Sequence, residues 1–322
     1  MKPAYHRISP VNILGENSNR LMVVLKTKGC EYARKTGGCT VCGFLNNASD
    51  TITENDIIEQ LNYTLKTNNL NDVEEIDILT LGSFLNDAEV SIHTRIALLK
   101  RISEINHIKR VAIESRAEYV TIEKLLRCQQ ALGDKILDFG IGLESADDYI
   151  RNKVINKGLS KKAFEKTVEK VKEAGCHLLV YLLIKPPGLT EEEAINDAVN
   201  SAAYVFNIAR KIGVSVRVAF EPVFICENTE LEKLYLQSKY RLLSLWSVVD
   251  VIVKVHQFGN IFVGLSDEEL SMDRMPHTCP DCNKYIIDSI EYFNKTQDIS
   301  RLMDLYCECK SDYSLEMKRG EI

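Results

Sequence analysis

Apolar runs of four to eight residues alternate with amphipathic stretches along most of the chain, and few folds accept that alternation. The runs 21–25, 76–81, 110–113, 136–141, 177–184 and 215–221 read as buried strands. Between the first two, Thr53 stands as an N-cap before Ile57, Ile58, Leu61 and Leu65 at helical spacing. Further helical patterns cover about 91–105, 121–131, 161–174 and 190–212, the last opening on Thr190 and Glu193 in capping-box spacing. Six strands separated by helices predict an α/β chain built as a partial or full parallel (β/α) barrel. Residues 1–20, with Pro3, Pro10 and several polar side chains, read as an irregular lead-in to a barrel that runs to residue 265. Residues 266–322 read as a small Cys-rich, metal-binding C-terminal segment with one helix at 285–293.

The polar and glycine-containing segments gather at the C-terminal ends of the strands, the face on which barrels of this kind build their sites. Gly82-Ser83-Phe84, Glu114-Ser115-Arg116, Gly142-Leu143-Glu144-Ser145 and Lys185-Pro186-Pro187 all occupy such ends. On the same face, after the first strand, Cys30, Cys39 and Cys42 lie on one loop with gaps of eight and two residues. Gly37, Gly38 and Gly43 allow the backbone there to turn tightly. Three thiolates with no fourth Cys or His nearby leave a coordination position open, which suits an iron–sulfur cluster with one free iron. The alternatives are a zinc knuckle with a distant fourth ligand, or unrelated buried thiols.

Ten cysteines in a chain without a signal-peptide core or an apolar run near 18 residues point to metal or redox chemistry in a reducing, cytoplasmic setting. Seven of them fall in two groups. Cys128, Cys176 and Cys226 stand singly in apolar surroundings and read as small core residues. The second group, Cys279, Cys282, Cys307 and Cys309, suits zinc or an auxiliary iron–sulfur cluster, with His277 as a possible substitute ligand. This segment is expected to fold only around its metal. The formal net charge of −6 offers no global attraction to nucleic acid. Arg151, Lys153, Lys157, Lys161, Lys162, Lys166, Lys170 and Lys172 concentrate positive charge, but Glu165, Glu169 and Glu173 interleave with them and favour a solvated helix face.

The three-cysteine loop after strand one of a βα-repeat chain resembles the radical S-adenosylmethionine (SAM) superfamily. The wide first gap and the strand ends Glu114-Ser115-Arg116 and Gly142-Leu143-Glu144-Ser145 are similar to the branch containing the catalytic subunit of elongator. Lys28-Gly29-Cys30 to Cys42-Gly43-Phe44, Asn156-Lys157-Gly158, Arg274-Met275-Pro276-His277 and Tyr306-Cys307-Glu308-Cys309 narrow the likeness to its archaeosine-biosynthesis members. The resemblance implies a [4Fe–4S] cluster on Cys30, Cys39 and Cys42, with SAM chelated to the free iron. One-electron reduction by a donor protein then cleaves SAM to methionine and a 5′-deoxyadenosyl radical.

It further implies cofactor-binding roles for Gly82, Ser83, Phe84, Glu114, Arg116, Gly142, Glu144 and Ser145. Gly82-Ser83-Phe84 stands where many members carry Gly-Gly-Glu, so a backbone edge without that carboxylate would meet the methionine amino group. Val41 stands where many members place an aromatic ring over adenine, leaving Phe44 to substitute. The implied reaction is tRNA modification: C–N cleavage of a lysine-modified 7-deazaguanine in the D-loop, beside the transferase that attaches the lysine. A small-molecule or peptide substrate, or a metal-binding RNA-recognition role without SAM chemistry, are the rival readings.

Overall fold

The apolar runs assemble into one eight-stranded sheet in a computed structural model that describes residues 1–265 and 274–319. Its strands are β1 (Tyr5–Ile13), β2 (Glu16–Leu25), β3 (Val73–Thr80), β4 (Arg110–Glu114), β5 (Ile136–Glu144), β6 (His177–Ile184), β7 (Val216–Pro222) and β8 (Asn260–Val263). They lie side by side in sequence order, β2 to β8 parallel. The helices are α1 (Glu31–Thr36), α2 (Glu54–Thr67), α3 (Ile92–Ser103), α4 (Ile122–Leu132), α5 (Lys161–Glu173), α6 (Glu191–Ile212), α7 (Glu230–Leu236), α8 (Leu245–Val255), α9 (Pro280–Thr296), α10 (Ser300–Met303) and α11 (Cys309–Arg319). Thr53 and Thr190 cap α2 and α6 in full capping boxes, as their spacing predicts. The expected boundary at 265/266 falls where the described residues stop.

The lead-in is corrected: residues 5–13 are not irregular but form β1, antiparallel to β2 from Tyr5↔Val24 to Ile13↔Glu16. Leu14 and Gly15, both at positive φ, supply the two-residue turn. β1 is an edge strand of the sheet, a position that tolerates Pro10, and only its last residues, Val11 to Ile13, are buried.

Strands β8 and β1 do not pair, so the barrel is open at this seam, and α9 fills it. Asn294 accepts from Val263 N (2.8 Å) and donates to Val263 O (2.8 Å), while Gln297 does the same for Ile261 (3.0 and 2.8 Å). These side-chain amides satisfy the free edge of β8 as a ninth strand would. Across the seam, Arg7 of β1 pairs with Glu291 (2.9 Å) and Asn12 donates to Lys295 O (3.1 Å).

Inside the lower barrel lies a buried ionic network. Arg110 donates to Glu75 (2.6 Å), Arg217 to Glu75 (2.9 Å) and Asp138 (3.0 Å), and Arg20 to Asp77 (2.7 Å). Burial opposes the charge on Glu75, but Arg110 and Arg217 outweigh it and hold this carboxyl down. Burial and the Glu75 charge push Asp77 up. Above most of the network, Ala112, Leu179, Ala219 and Phe262 form an apolar layer under the upper barrel, and Arg20 reaches past it to line the space above. Among the described residues no helix is long and apolar enough to cross a membrane.

Candidate functional site

Above that layer, at the C-terminal ends of the strands, a cavity of about 280 Å³ opens between the sheet and the cysteine loop. Cys30 directly precedes α1, which ends at Gly37 in the left-handed region (φ 88°), and Gly38 follows at φ 78°. The two glycines reverse the chain so that Cys39 and Cys42 return toward Cys30. All three line the cavity.

Hydrogen bonds that leave the sulfurs free fix the loop. Thr40 N donates to Ile155 O (2.9 Å), Asn156 Nδ2 to Gly38 O (2.8 Å), Tyr32 OH to Asn156 O (2.8 Å) and Leu231 N to Thr40 O (3.1 Å).

Of the residues anticipated at strand ends, Gly82, Glu114, Arg116, Gly142 and Glu144 line this cavity. Gly82 packs directly against Cys30: an added Cβ would meet Cys30 Cα and N at 2.7 and 2.8 Å. The sequence offered no carboxylate at this edge, yet Glu89 supplies one from beneath. It accepts from Ser83 N (2.6 Å) and the Thr27 hydroxyl (2.5 Å), and burial pushes its carboxyl up.

Ser83 and Phe84 are buried behind the cavity wall rather than in it. Ser83 Oγ accepts from Arg116 N (3.2 Å) and Phe84 N donates to Glu114 O (2.9 Å), so both hold the end of β3 to the end of β4. The Arg116 guanidinium lies 3.8 Å from the Tyr32 ring centre and pairs with Glu118 (2.6 Å). Burial pushes Glu114 up to about 8, and Lys157 opposes this only in part.

Glu144 adopts positive φ (66°) and pairs with Lys157 across the face of Gly142, where a Cβ would clash with both. Burial works against the Lys157 charge, but Glu144 and Cys39 hold its pKa above the ordinary value. The uniform reading of the basic run is therefore corrected at two positions. Lys157 lines the cavity, and Arg151 is fully buried, donating to Leu159 O (2.6 Å) and Ser145 O (2.9 Å). A second correction concerns Cys226: Cys128 and Cys176 are core residues, but Cys226 is half-buried and lines the cavity against Gly43. Tyr181 and Glu221 complete the far wall. Strand parity was the signal available for them, because β6 and β7 place Tyr181 and Glu221 on the inward face.

Ser145 points away from the cavity and donates to Asp197 Oδ1 (2.7 Å), whose Oδ2 is buried without a partner among the described residues. Burial pushes Asp197 up to about 6. A carboxyl raised in the folded state favours folding fully below its unfolded value of ~4, and that contribution is lost as pH rises through 6. Replacement Asp197→Asn is expected to flatten urea-unfolding stability across this window and to raise it at pH 8 by on the order of 1–2 kcal/mol.

The four C-terminal cysteines converge at the start of α9 and the start of α11, with all four sulfurs within 4.8 Å of one another. The pairs Cys279–Cys282, Cys279–Cys307 and Cys282–Cys309 are 3.4, 3.5 and 3.6 Å apart. Tetrahedral thiolates at the usual zinc–sulfur bond length stand about 3.8 Å apart, whereas four thiolates on four separate irons stand much further apart. Trp246 Nε1 donates to Cys309 Sγ (3.3 Å) and Thr278 Oγ1 lies 3.5 Å from it. Burial pushes the Cys309 thiol up, but these contacts outweigh it and bring it down to about 6. His277 sits apart, its Nδ1 2.8 Å from Met275 O.

The radical SAM superfamily model matches residues 24–198. An uncharacterised protein of Methanocaldococcus jannaschii is 35% identical over 300 residues, 90% of this chain and 80% of that one. Two proteins named archaeosine synthase subunit beta are similar as well. That of Methanosarcina acetivorans is 31% identical, covering 92% of this chain and 84% of its own. That of Thermococcus kodakarensis is 28% identical, with 96% and 95% covered. Among solved structures, an N-terminally deleted Elp3 of Methanocaldococcus infernus shares the fold with TM-score 0.53 at 14% identity, over 74% of this chain and 59% of that one.

Proposed function

This chain belongs to the radical SAM superfamily, and from that premise we propose that it acts in archaeosine formation, cleaving a C–N bond of a lysine-modified 7-deazaguanine in the tRNA D-loop to leave the amidine. The observation that carries the reading is the full-length likeness to two proteins named archaeosine synthase subunit beta, 92% and 96% of this chain being covered. Such a chain would work beside the transferase that attaches the lysine, and would take its electron from a separate donor.

The donor set fits the family's cofactors: the three thiols of one loop line a cavity that also holds Cys226, a glycine edge and several charged groups. Cys30, Cys39 and Cys42 would hold the [4Fe–4S] cluster beside SAM. When bound, that pair supplies one-electron cleavage of SAM and a 5′-deoxyadenosyl radical.

The chain's own residues bind and orient. The Gly82 edge, stiffened by Glu89, offers backbone acceptors to an ammonium group. Glu114, protonated near neutral pH because of its burial, can donate to a ribose hydroxyl as well as accept from one. Arg116, braced on Tyr32, offers a cation to a carboxylate. Lys157 steadies Glu144 beside the thiolates, and the absent side chains at Gly142 and Gly82 admit that ion pair and the Cys30 backbone respectively. Met22, Val24, Leu79 and Leu81 wall off water on the β2–β3 side. The four C-terminal thiols would hold a single zinc.

Nucleoside analysis of tRNA from a deletion strain tests this assignment. Archaeosine should disappear and the lysine adduct accumulate; unchanged archaeosine would reject the tRNA reading.

A further inference from the structure

The wall of the cavity made by β6 to β8 and β2 carries a pair of opposite charges apart from the cysteine loop. The inward face of β8 presents Phe262, and Gly264 follows two residues on, held beside β7 by its N–H to Phe220 O (2.8 Å). The Arg20 guanidinium stacks on Phe262, 3.9 Å from the ring centre. The Glu221 carboxylate rests on Gly264, where any Cβ would clash with it.

Two residues of extended chain set the Cα atoms of Phe262 and Gly264 roughly 6.6 Å apart, with Arg20 against the first and Glu221 against the second. Arg20 uses Nε toward Ser9 (3.2 Å) and Nη1 toward Asp77 (2.7 Å), and its Nη2 makes no hydrogen bond among the described residues. Tyr181 leans into the same space over Gly140, whose missing side chain admits the ring (Cε2 3.0 Å from an added Cβ). All of Arg20, Tyr181 and Glu221 line the cavity that the cysteines line. The charges acting on Cys39 are instead Lys157, Glu144 and Arg116.

We propose that Glu221 and Arg20, with Tyr181 between them, form a binding site for a free α-amino acid head group of the substrate. Glu221 takes the ammonium and Arg20 the carboxylate. An ammonium and a carboxylate on one carbon, each with a hydrogen bond of about 2.8 Å to its partner, bridge counter-charges some 6–8 Å apart. Each charge of the ligand meets an opposite charge on the cavity wall. The proposal rests on the reading above, in which the substrate base carries lysine, and it names the end of that lysine farthest from the base as the part recognised.

Equilibrium titration of the cluster-reconstituted, SAM-saturated full chain tests it, with Nε-acetyl-L-lysine as probe. Two probes each lack one charge: 6-acetamidohexanoate has no α-ammonium, and N-acetylcadaverine has no carboxylate. The wild type should bind Nε-acetyl-L-lysine at least about tenfold more tightly than either. Glu221→Gln should lose at least about tenfold for the full probe and nothing for 6-acetamidohexanoate, which has no ammonium and never engages Glu221. Arg20→Lys should weaken the full probe likewise; Arg20 belongs to a buried pair, so if that variant does not fold, Glu221→Gln decides alone.

Equal binding to wild type and Glu221→Gln overturns the proposal, as does 6-acetamidohexanoate binding as tightly as the full probe, or no wild-type binding at about 10 mM, a concentration that only very weak sites fail to fill. A parallel loss of SAM affinity in Glu221→Gln also overturns it, by assigning the pair to SAM's own amino acid end. Failure of the tRNA reading is separate: archaeosine would persist in the deletion strain while probe binding still required Glu221.

Discussion

Cys39→Ala is expected to abolish 5′-deoxyadenosine formation from SAM while leaving a folded, soluble chain. Loss of one of three thiolates removes one of the three bonds by which the loop would hold the cluster. Cys226, the additional thiol lining the cavity, lies against Gly43 on the Cys42 side of the loop. A fall of at least about a thousandfold in product, together with loss of iron after anaerobic reconstitution, is the expected result, because three thiolates are the loop's whole ligand set.

The fold should survive because the loop is held by Thr40, Asn156, Tyr32 and Leu231 through bonds that do not involve sulfur. Cys39 itself only borders a small cluster around Ile155 and Val223, separate from the main core. Far-UV circular dichroism and a melting temperature near that of the apo wild type would bear this out. Global unfolding of Cys39→Ala would show instead that the loop is a structural metal site.

How far the sequence leads to this cavity depends on how local each signal is. The parallel strands were legible because both of their faces are buried, so their apolar runs are continuous. The cysteine loop was legible because its ligands lie close together in the chain. β1 was not: most of it is only half-buried, which weakens its alternation, and Pro10 reads as a breaker until the strand is known to lie at an edge.

Glu89 was missed for a different reason. It sits six residues beyond Ser83, and only the fold of the intervening turn brings its carboxylate back to the Ser83 N–H. Lys157 was present in the sequence as one basic residue among eight, and its partner Glu144 is thirteen positions away on a strand end. Glu221 and Arg20 line one cavity only because the curling of the sheet brings β7 and β2, far apart in strand order, to the same space. A carboxylate's role is set by the neighbours that three-dimensional closure brings to it, and no periodicity in the chain records those neighbours.

The same closure makes the C-terminal cysteines matter beyond their own segment. Cys282→Ser is expected to remove one bound zinc per chain and to lower the melting temperature by roughly 10 °C or more. Cys282 is 4% exposed and stands in the first turn of α9, the helix whose Asn294 and Gln297 satisfy the bare edge of β8. Without metal, four sulfurs within 4.8 Å of one another have only weak thiol contacts to hold them, and the Cys309 thiolate loses its counter-charge.

The start of α9 and the start of α11 would then separate, and the loosening would reach the β1–β8 seam, which no strand-to-strand hydrogen bonds close. At about 2–4 °C per kcal/mol for a domain of this size, a loss of some 4–5 kcal/mol gives the stated shift. Metal analysis of the purified chain, read with thermal unfolding of wild type and variant, checks both halves. One zinc beyond the cluster iron, lost together with stability in Cys282→Ser, is the expected outcome. Four additional irons in the wild type would make the site an auxiliary cluster, and an unchanged melting temperature in the variant would free α9 from any dependence on the metal.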